Sequence, residues 1–233
     1  MIRHREVSRL EGFSDAVFGF ALTLLVVQLE TPMNQAELRN TAGSFVPFAL
    51  TFAMVAWIWY LHNQFFRRYG LQDAYTAFLN SALLFVVLFY VFPLKSLTLA
   101  LIGPLTMDRA MLPNIDEMGQ ALVMVMYSSG VVMVFGAFLL LHLHAWRKRV
   151  ELGLDASELL ALRFGARGHM ISTGLGIVSL ILVALMPRQT AFAGLIYGLM
   201  GPLHGWNGYS GGRAKAQLSA PVEHLREHPP EHP

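Results

Sequence analysis

The sequence predicts an all-α, polytopic membrane protein with six transmembrane helices. Of its 233 residues, 55% are hydrophobic and only 14% are charged, whereas soluble domains carry about 25% charged residues. Several apolar runs reach the roughly 20 residues that a helix needs to cross a bilayer. Helices are the expected spanning form, because a closed barrel would show short strands of alternating polarity instead.

Short polar or proline-containing loops separate the six predicted spans. In chain order the spans cover about 12–29, 44–61, 74–99, 120–145, 169–186 and 191–206. The sixth is the shortest, and its glycines and proline leave its end undefined. Residues 1–207 therefore form one predicted transmembrane domain. From residue 208 the chain is rich in Gly, Pro and His, which predicts a disordered tail over 208–233.

Lysine and arginine are distributed unequally between the predicted loops. Thirteen of the seventeen lie in the N-terminal segment, in the loops after the second and fourth spans, or in the tail. Arg39, Arg109 and Arg188 lie on the other side, and Lys95 lies inside the third span. Because basic residues are retained in the cytoplasm, both termini are predicted to be cytoplasmic, with the protein in the cell (plasma) membrane.

Several functions are excluded by composition and motif content. The chain has no cysteine, so disulfides, thiolate metal sites and cysteine nucleophiles are absent. Its basic residues are scattered beside apolar segments, a pattern typical of membrane topology and not of nucleic-acid binding. No nucleophile–base pair, metal-ligand cluster or phosphate-binding loop is visible, so no enzyme activity, metal or cofactor is predicted.

The segment from Val150 to Gly168 is amphipathic, with leucines interleaved with Glu and Arg. Two interpretations stay open for it: a short interfacial helix, or an extension of the fourth or fifth span. Just before it, His142 and His144 are two residues apart, so they face different sides of a helix and are not expected to share a metal.

Polar residues cluster at the start of the first span. Ionisable groups near a membrane core are costly and are functional candidates, and the Asp15 carboxylate is predicted about one turn inside the hydrocarbon boundary. A helix N-terminal cap explains Ser14 and Asp15 equally well. His62, ending the second span, and Asn80, in the third, are expected at the same depth. One polar cluster is therefore predicted: Arg9, Ser14, Asp15, His62 and Asn80.

Beyond Asp15, small and hydroxyl residues share one side of the first span. Gly19, Thr23 and Val27 lie on this face, beside Phe20 and Leu24. Such a face suits either close helix packing or a narrow conduit. The residues alone leave both interpretations open, with packing the more ordinary cause.

The run from Arg9 to Val17 has the form R-x-x-x-F-S-D-A-V, and T-L-L-V follows at 23–26. Together they resemble the signature of the transmembrane protein 175 family, the lysosomal potassium channels and their prokaryotic relatives. The resemblance covers roughly residues 9–95 and includes three further matches: Trp59-x-x-His62, Asn80 and Pro93-Leu94.

The resemblance implies a single-repeat, prokaryotic-type subunit of six helices that assembles as a homotetramer in the lipid bilayer. It also implies that the first helix, about 12–29, lines the pore, and that potassium is the permeant ion. The signature positions would pack this helix against its neighbours near the cytoplasmic side. These positions are Arg9, Phe13, Ser14 and Asp15.

The family has no carbonyl-lined filter; apolar side chains of the first helix form its constriction, and a threonine contributes to selectivity. Carried over by position, the constriction falls on Phe20, Leu24 and Val27, and the threonine on Thr23. The sequence departs from the family at Phe20, since the narrowest ring is usually Ile or Leu.

Three hypotheses follow. The first is a potassium-permeable cation channel, a homotetramer with a hydrophobic constriction on its first helix. The second is a proton channel or proton-coupled transporter with Asp15 and His62 as relay groups. Transporters usually contain discontinuous helices and internal repeats, and no convincing repeat relates residues 1–100 to 101–206. The third is a non-conducting homologue, closed by the bulk of Phe20.

Overall fold

The computed structural model of the protein describes residues 7–27, 34–107, 112 and 115–227, without the side chains of 36, 37, 40 and 219–227. All regular structure in these residues is helical. The helices are α1 (Arg9–Val27), α2 (Gln35–Gly43), α3 (Phe45–Tyr69), α4 (Ala74–Thr106), α5 (Glu117–Arg147), α6 (Ala156–Leu185), α7 (Thr190–Leu195) and α8 (Met200–Glu227). Within the described chain, α1, α3, α4, α5 and α6 are long and apolar enough to cross a membrane. The predicted all-α, polytopic fold is confirmed.

Side-chain caps explain where the long helices begin. Asp73, Asp116 and Asp155 precede α4, α5 and α6, and each accepts the backbone N–H of the residue three positions on, at 3.1, 2.9 and 2.8 Å. Ser8 and Glu11 cap α1 reciprocally: each backbone N–H donates to the other side chain, at 2.8 and 3.2 Å. Such caps satisfy N–H groups that a first helical turn leaves without partners.

The helices pack in an order close to that of the chain. α1 packs against α3 and α4, and α4 packs against α5. α5 packs along α6, which also contacts α7 and α8. Between α4 and α5 the fit is close, because a Cβ atom at Gly130 would overlap the ring of Tyr90. The Tyr90 ring stacks on Tyr127 at 5.9 Å, and Tyr127 meets Tyr197 edge-on at 5.0 Å. Aromatic packing therefore joins the middle of the bundle to the C-terminal segment.

The two ends of the bundle differ in charge. At one end the start of α4 meets the end of α5, where His144 Nε2 donates to Asp73 Oδ2 at 2.9 Å. We call this the basic end, because it carries Arg9, Arg67, Arg68, Arg147, Lys148 and Arg149. At the opposite end Arg188 lies 4.0 Å from Glu117, where α5 begins and α6 has ended.

Several helices extend beyond their predicted bounds. α3 continues to Tyr69, beyond the predicted end at residue 61, and α4 continues through Pro104 to Thr106, beyond the predicted end at residue 99. α6 begins at Ala156, so the segment from Val150 to Gly168 is largely an extension of the fifth span. The short helix α2 was not predicted. The predicted end of the first span at Leu29, and Arg109, lie outside the described residues.

The C-terminal part differs from the prediction in two ways. The expected sixth span, 191–206, is divided into α7, a 3-10 turn at Ile196–Leu199 and the start of α8. The expected disordered tail from residue 208 is instead helical to Glu227, and 228–233 lie outside the described residues. The Ala-Lys-Ala-Gln-Leu run at 214–218 favours helix, and Gly211 packs closely against Phe164 of α6.

Candidate functional site

α1 buries one stripe of its surface. Ser14, Phe18, Ala21 and Leu25 are buried, and their spacing of four, three and four residues places them on one face of a helix. This face packs against α3 and α4. The apolar members supply the hydrophobic contact, whereas Ser14 supplies a polar one near the basic end.

The residues assigned to a pore by resemblance lie on the other face of α1. Phe20, Leu24 and Val27 are 63%, 36% and 77% exposed in the isolated chain, and Thr23 is exposed as well. At 3.6 residues per turn they lie about half a turn from the buried stripe. α1 therefore presents an uncovered, largely apolar face that its own chain does not pack against.

The Thr23 hydroxyl has a defined orientation on this face. Its Oγ1 donates to the Phe20 carbonyl oxygen at 2.8 Å. Because the proton is used within the helix, the oxygen lone pairs remain available as acceptors beside Leu24 and Val27. Thr23 therefore presents acceptor lone pairs on an otherwise apolar face.

A buried chain of hydrogen bonds fixes α1 to its neighbours. His62 Nε2 lies 2.6 Å from Asn80 Oδ1, Asn80 Nδ2 donates to Ser14 Oγ at 3.0 Å, and Ser14 Oγ donates to the Leu10 carbonyl at 2.8 Å. Since the Ser14 proton goes to Leu10, its oxygen accepts from the Asn80 amide, and Asn80 Oδ1 then accepts from His62. The three side chains are at most 1% exposed. One directional chain thus joins α3, α4 and α1.

Asp15 has a different partner from the one expected. The indole Nε1 of Trp59 donates to Asp15 Oδ1 at 2.7 Å, and the structure gives no hydrogen bond between Asp15 and His62 among the residues it describes. Sequence analysis named Trp59 only as part of the Trp59-x-x-His62 match and did not predict this contact. The signal was present in its spacing: Trp59 precedes His62 by three residues, on the same side of α3.

The remaining signature residues lie apart from the buried chain. Arg9 and Phe13 are exposed, and among the described residues neither makes a hydrogen bond or ring contact with His62 or Asn80. The alternative that Ser14 and Asp15 cap α1 is wrong, because Ser8 and Glu11 form that cap. Of the predicted cluster, Ser14, His62 and Asn80 are brought together, Asp15 is held beside them by Trp59, and Arg9 is not included.

The described side chains offer no metal centre in this region. No group of three or more His, Asp or Glu among the described residues is arranged to hold a metal ion. The arrangement instead supplies a rigidly held helix with one exposed apolar face and a single oriented hydroxyl. Where several apolar faces of this kind line one narrow path, the path holds water or excludes it according to its width.

These features define a polytopic helical membrane protein whose first helix is anchored on one face and uncovered on the other. The family profile described as endosomal/lysosomal potassium channel TMEM175 matches residues 9–90. A protein named potassium channel from Marivirga tractuosa is 33% identical over 212 residues, covering 86% of this chain and 86% of its relative. The chain belongs to the TMEM175 family, and the resemblance found in the sequence is confirmed.

Solved structures support the same assignment. The crystal structure of a threonine-to-alanine variant of the potassium channel MtTMEM175, bound to a nanobody–MBP fusion protein, has a TM-score of 0.77 and 31% identity, covering 93% of this chain and 97% of that chain. A lysosomal potassium-selective channel TMEM175 homologue from Chamaesiphon minutus has a TM-score of 0.57 and 23% identity, covering 88% and 99%. The second match shows the shared fold.

Proposed function

We propose that the protein is a potassium-permeable cation channel that conducts as a homotetramer, with α1 of each subunit lining the pore. The observation that carries this proposal is the division of α1 into two faces. Ser14, Phe18 and Leu25 are fixed inside the subunit, while Phe20 and Val27 remain exposed on the other side. The names of the relatives, which are potassium channels, supply the ion.

Several copies are needed because one helix face cannot enclose a path. The uncovered face of α1 carries no charged residue between Asp15 and Val27, so an assembly around it creates an apolar constriction. We assign the narrow part to rings of Phe20, Leu24 and Val27. When these rings approach closely the path dries and blocks ions, and a slight dilation admits water and then cations.

Thr23 is assigned the role of selectivity within this constriction. Its oxygen accepts while its proton is held by the Phe20 carbonyl. Four such oxygens around an axis would replace part of the hydration shell of a permeating cation. An oriented hydroxyl is suited to potassium because oxygen is the ligand atom that hard cations prefer.

The hydrogen-bond chain and the Asp15–Trp59 contact are assigned an anchoring role. They hold α1 at fixed depth and rotation, so that the same residues reach the axis in every subunit. The relay alternative requires Asp15 and His62 to exchange a proton, but Asp15 is bonded to Trp59 and His62 to Asn80. The contacts therefore favour anchoring over proton transfer.

The chain is proposed to cross the plasma membrane six times, with both termini in the cytoplasm. α7, the 3-10 turn and the first part of α8 together form the sixth crossing. They run antiparallel to α6, as two contacts at different depths indicate: Ser179 Oγ donates to the Ala193 carbonyl at 3.1 Å, and Asn207 Nδ2 to the Phe164 carbonyl at 3.0 Å. The basic end faces the cytoplasm by the positive-inside rule.

Single-channel recording in planar bilayers tests the pore assignment. Phe20→Ala removes the bulkiest ring of the proposed constriction, so basal potassium conductance is expected to rise severalfold. Phe85→Ala is the matched control, because Phe85 is 73% exposed on α4 and lies outside α1. Equal currents in wild type and Phe20→Ala would count against Phe20 as a pore residue.

A liposome flux assay separates the channel from the proton pathway. With a potassium gradient and, separately, a proton gradient, the wild type is expected to pass potassium, and Asp15→Asn is expected to leave any proton flux in place. Loss of proton flux in Asp15→Asn, with potassium flux retained, would favour a relay. The absence of both fluxes in wild type and in Phe20→Ala would favour a non-conducting homologue.

A further inference from the structure

The exposed side of α8 carries aromatic and basic residues where the chain leaves the membrane. Trp206, Tyr209 and Arg213 are spaced by three and four residues, which places them on one face of the helix. Trp206 is 54% exposed and Tyr209 is 64% exposed. From α6, the Arg167 guanidinium carbon lies 3.9 Å from the centroid of the Trp206 ring. We call Arg167, Trp206, Tyr209 and Arg213 the α6–α8 basic face.

The opposite side of α8 is held on α6, so this face cannot turn inward. The Asn207 amide donates to the Phe164 carbonyl at 3.0 Å, and His204 Nε2 lies 2.9 Å from Ser172 Oγ. Gly211 allows close approach, since a Cβ atom there would meet the Phe164 ring at 3.2 Å. The packing fixes which residues α8 presents outward.

The positions of the charged residues indicate how deep this face lies in the bilayer. No Asp, Glu, Lys or Arg occurs from 168 to 187, between Arg167 and Arg188. Twenty residues at 1.5 Å each span about 30 Å, the thickness of the hydrocarbon core. Arg167 and Arg188 therefore mark opposite edges of the core. Arg213 lies seven residues beyond Trp206, about 10 Å further along the helix and within the headgroup region.

The two arginines of the face have no counter-charge among the side chains that the structure describes. Among the residues whose side chains the structure describes, no Asp or Glu oxygen lies within the 4.0 Å that defines an ion pair for Arg167 or Arg213. Their contacts are with aromatic rings instead: Arg213 lies 5.6 Å from the centroid of Tyr209. A guanidinium on an aromatic face keeps its outward N–H groups available for an anion.

We infer that the α6–α8 basic face binds the phosphate group of an anionic phospholipid in the leaflet at the basic end of the bundle. Arg167 and Arg213 supply the guanidinium donors, and Trp206 and Tyr209 lie at the depth where such rings bracket the headgroups. The negative surface of an anionic leaflet complements this charge. The lipid would link the outer surface of α8 to α6, and this role does not depend on ion conduction.

Lipid retention in nanodiscs tests the inference with the full-length protein. The protein is reconstituted in phosphatidylcholine containing phosphatidylglycerol, purified with its bound lipids, and the lipids are counted by native mass spectrometry. The wild type is expected to enrich phosphatidylglycerol over its bulk fraction. Arg167→Gln combined with Arg213→Gln is expected to lose this enrichment, by about fivefold for each arginine removed.

Arg188→Gln is the matched control, because it removes one exposed positive charge at the other edge of the core and is expected to keep the enrichment. Unchanged enrichment in the double variant would overturn the inference. Displacement of the lipid by inorganic phosphate at equal concentration would overturn the assignment to a membrane lipid. A smaller assembly mass in the double variant would show instead that the face contacts a second copy of the chain.

Discussion

His62 Nε2 lies 2.6 Å from Asn80 Oδ1, and this hydrogen bond joins the end of α3 to the start of α4 beside α1. The His62 ring is also packed against Phe18 at 5.5 Å and Phe66 at 4.5 Å. An apolar wall thus surrounds the polar contact, and Asn80 passes the chain on to Ser14. The position of α1 therefore depends in part on a hydrogen bond between two other helices, from His62 of α3 to Asn80 of α4.

Replacement of Asn80 by alanine is expected to destabilise the bundle. The change leaves the His62 N–H and the Ser14 oxygen without partners in a buried site, which costs about 1–3 kcal/mol. The melting temperature of the detergent-solubilised protein, followed by intrinsic tryptophan fluorescence, is expected to fall by several degrees.

Ser96→Ala on the same helix is the control for this prediction. The Ser96 hydroxyl makes an exposed hydrogen bond to the Phe92 carbonyl in its own helix, so its removal is expected to change stability by less than about 0.5 kcal/mol. If both variants melted at the same temperature, the buried chain would not be an anchor.

The sequence was enough to predict that Ser14, His62 and Asn80 lie together, because they fall at the same depth in their predicted spans. Polar residues at the same level of neighbouring helices have few other partners in an apolar bundle. Trp59 was missed as the partner of Asp15, because an aromatic residue near a span end is explained equally well by the membrane interface. The specific donor becomes visible only when the rotation of α3 against α1 is known.

The C-terminal segment from residue 191 was predicted less well, for a different reason. Glycine and proline content averaged over 208–233 indicated disorder, although the Ala-rich run at 214–218 favours helix. What holds the first part of this helix is tertiary: Asn207 and Gly211 pack on Phe164. Contacts between residues more than forty positions apart leave no local pattern in the sequence.

Gly130 on α5 is expected to tolerate no side chain. A Cβ atom there would overlap the Tyr90 ring, whose position is fixed by stacking on Tyr127. Gly130→Ala therefore forces α4 and α5 apart and is expected to destabilise the protein by about 1–3 kcal/mol, measured as a lower melting temperature.

Gly136→Ala on the same helix is the matched control. Nothing lies within 4 Å of a Cβ atom at Gly136, so alanine there is expected to be neutral or to stabilise the helix by up to about 1 kcal/mol. Equal destabilisation by the two changes would show that helix packing at Gly130 is looser than the Tyr90 contact indicates.

Asp73 links the start of α4 to the end of α5 and gives the protein a defined acid sensitivity. Partial burial raises the pKa of this carboxyl, but hydrogen bonds from His144, from the Thr76 backbone and from the Thr76 hydroxyl outweigh it. The pKa of Asp73 in the folded protein therefore lies well below its usual value. Because the folded pKa is depressed, this stabilisation is present above the unfolded pKa of about 3.9 and is lost as the pH falls below it.

Asp73→Asn removes the negative charge and keeps the helix cap, since asparagine caps a helix about as well as aspartate. The melting temperature of the wild type is expected to fall as the pH is lowered from about 5 to about 3. The melting temperature of Asp73→Asn is expected to fall less over the same interval. Asp73→Ala removes the cap as well and is expected to melt lower than Asp73→Asn at every pH. If the melting temperatures of wild type and Asp73→Asn fell equally with pH, the Asp73 charge would contribute nothing to the contact between α4 and α5. The contact with His144 would then hold the two helices through the hydrogen bond alone.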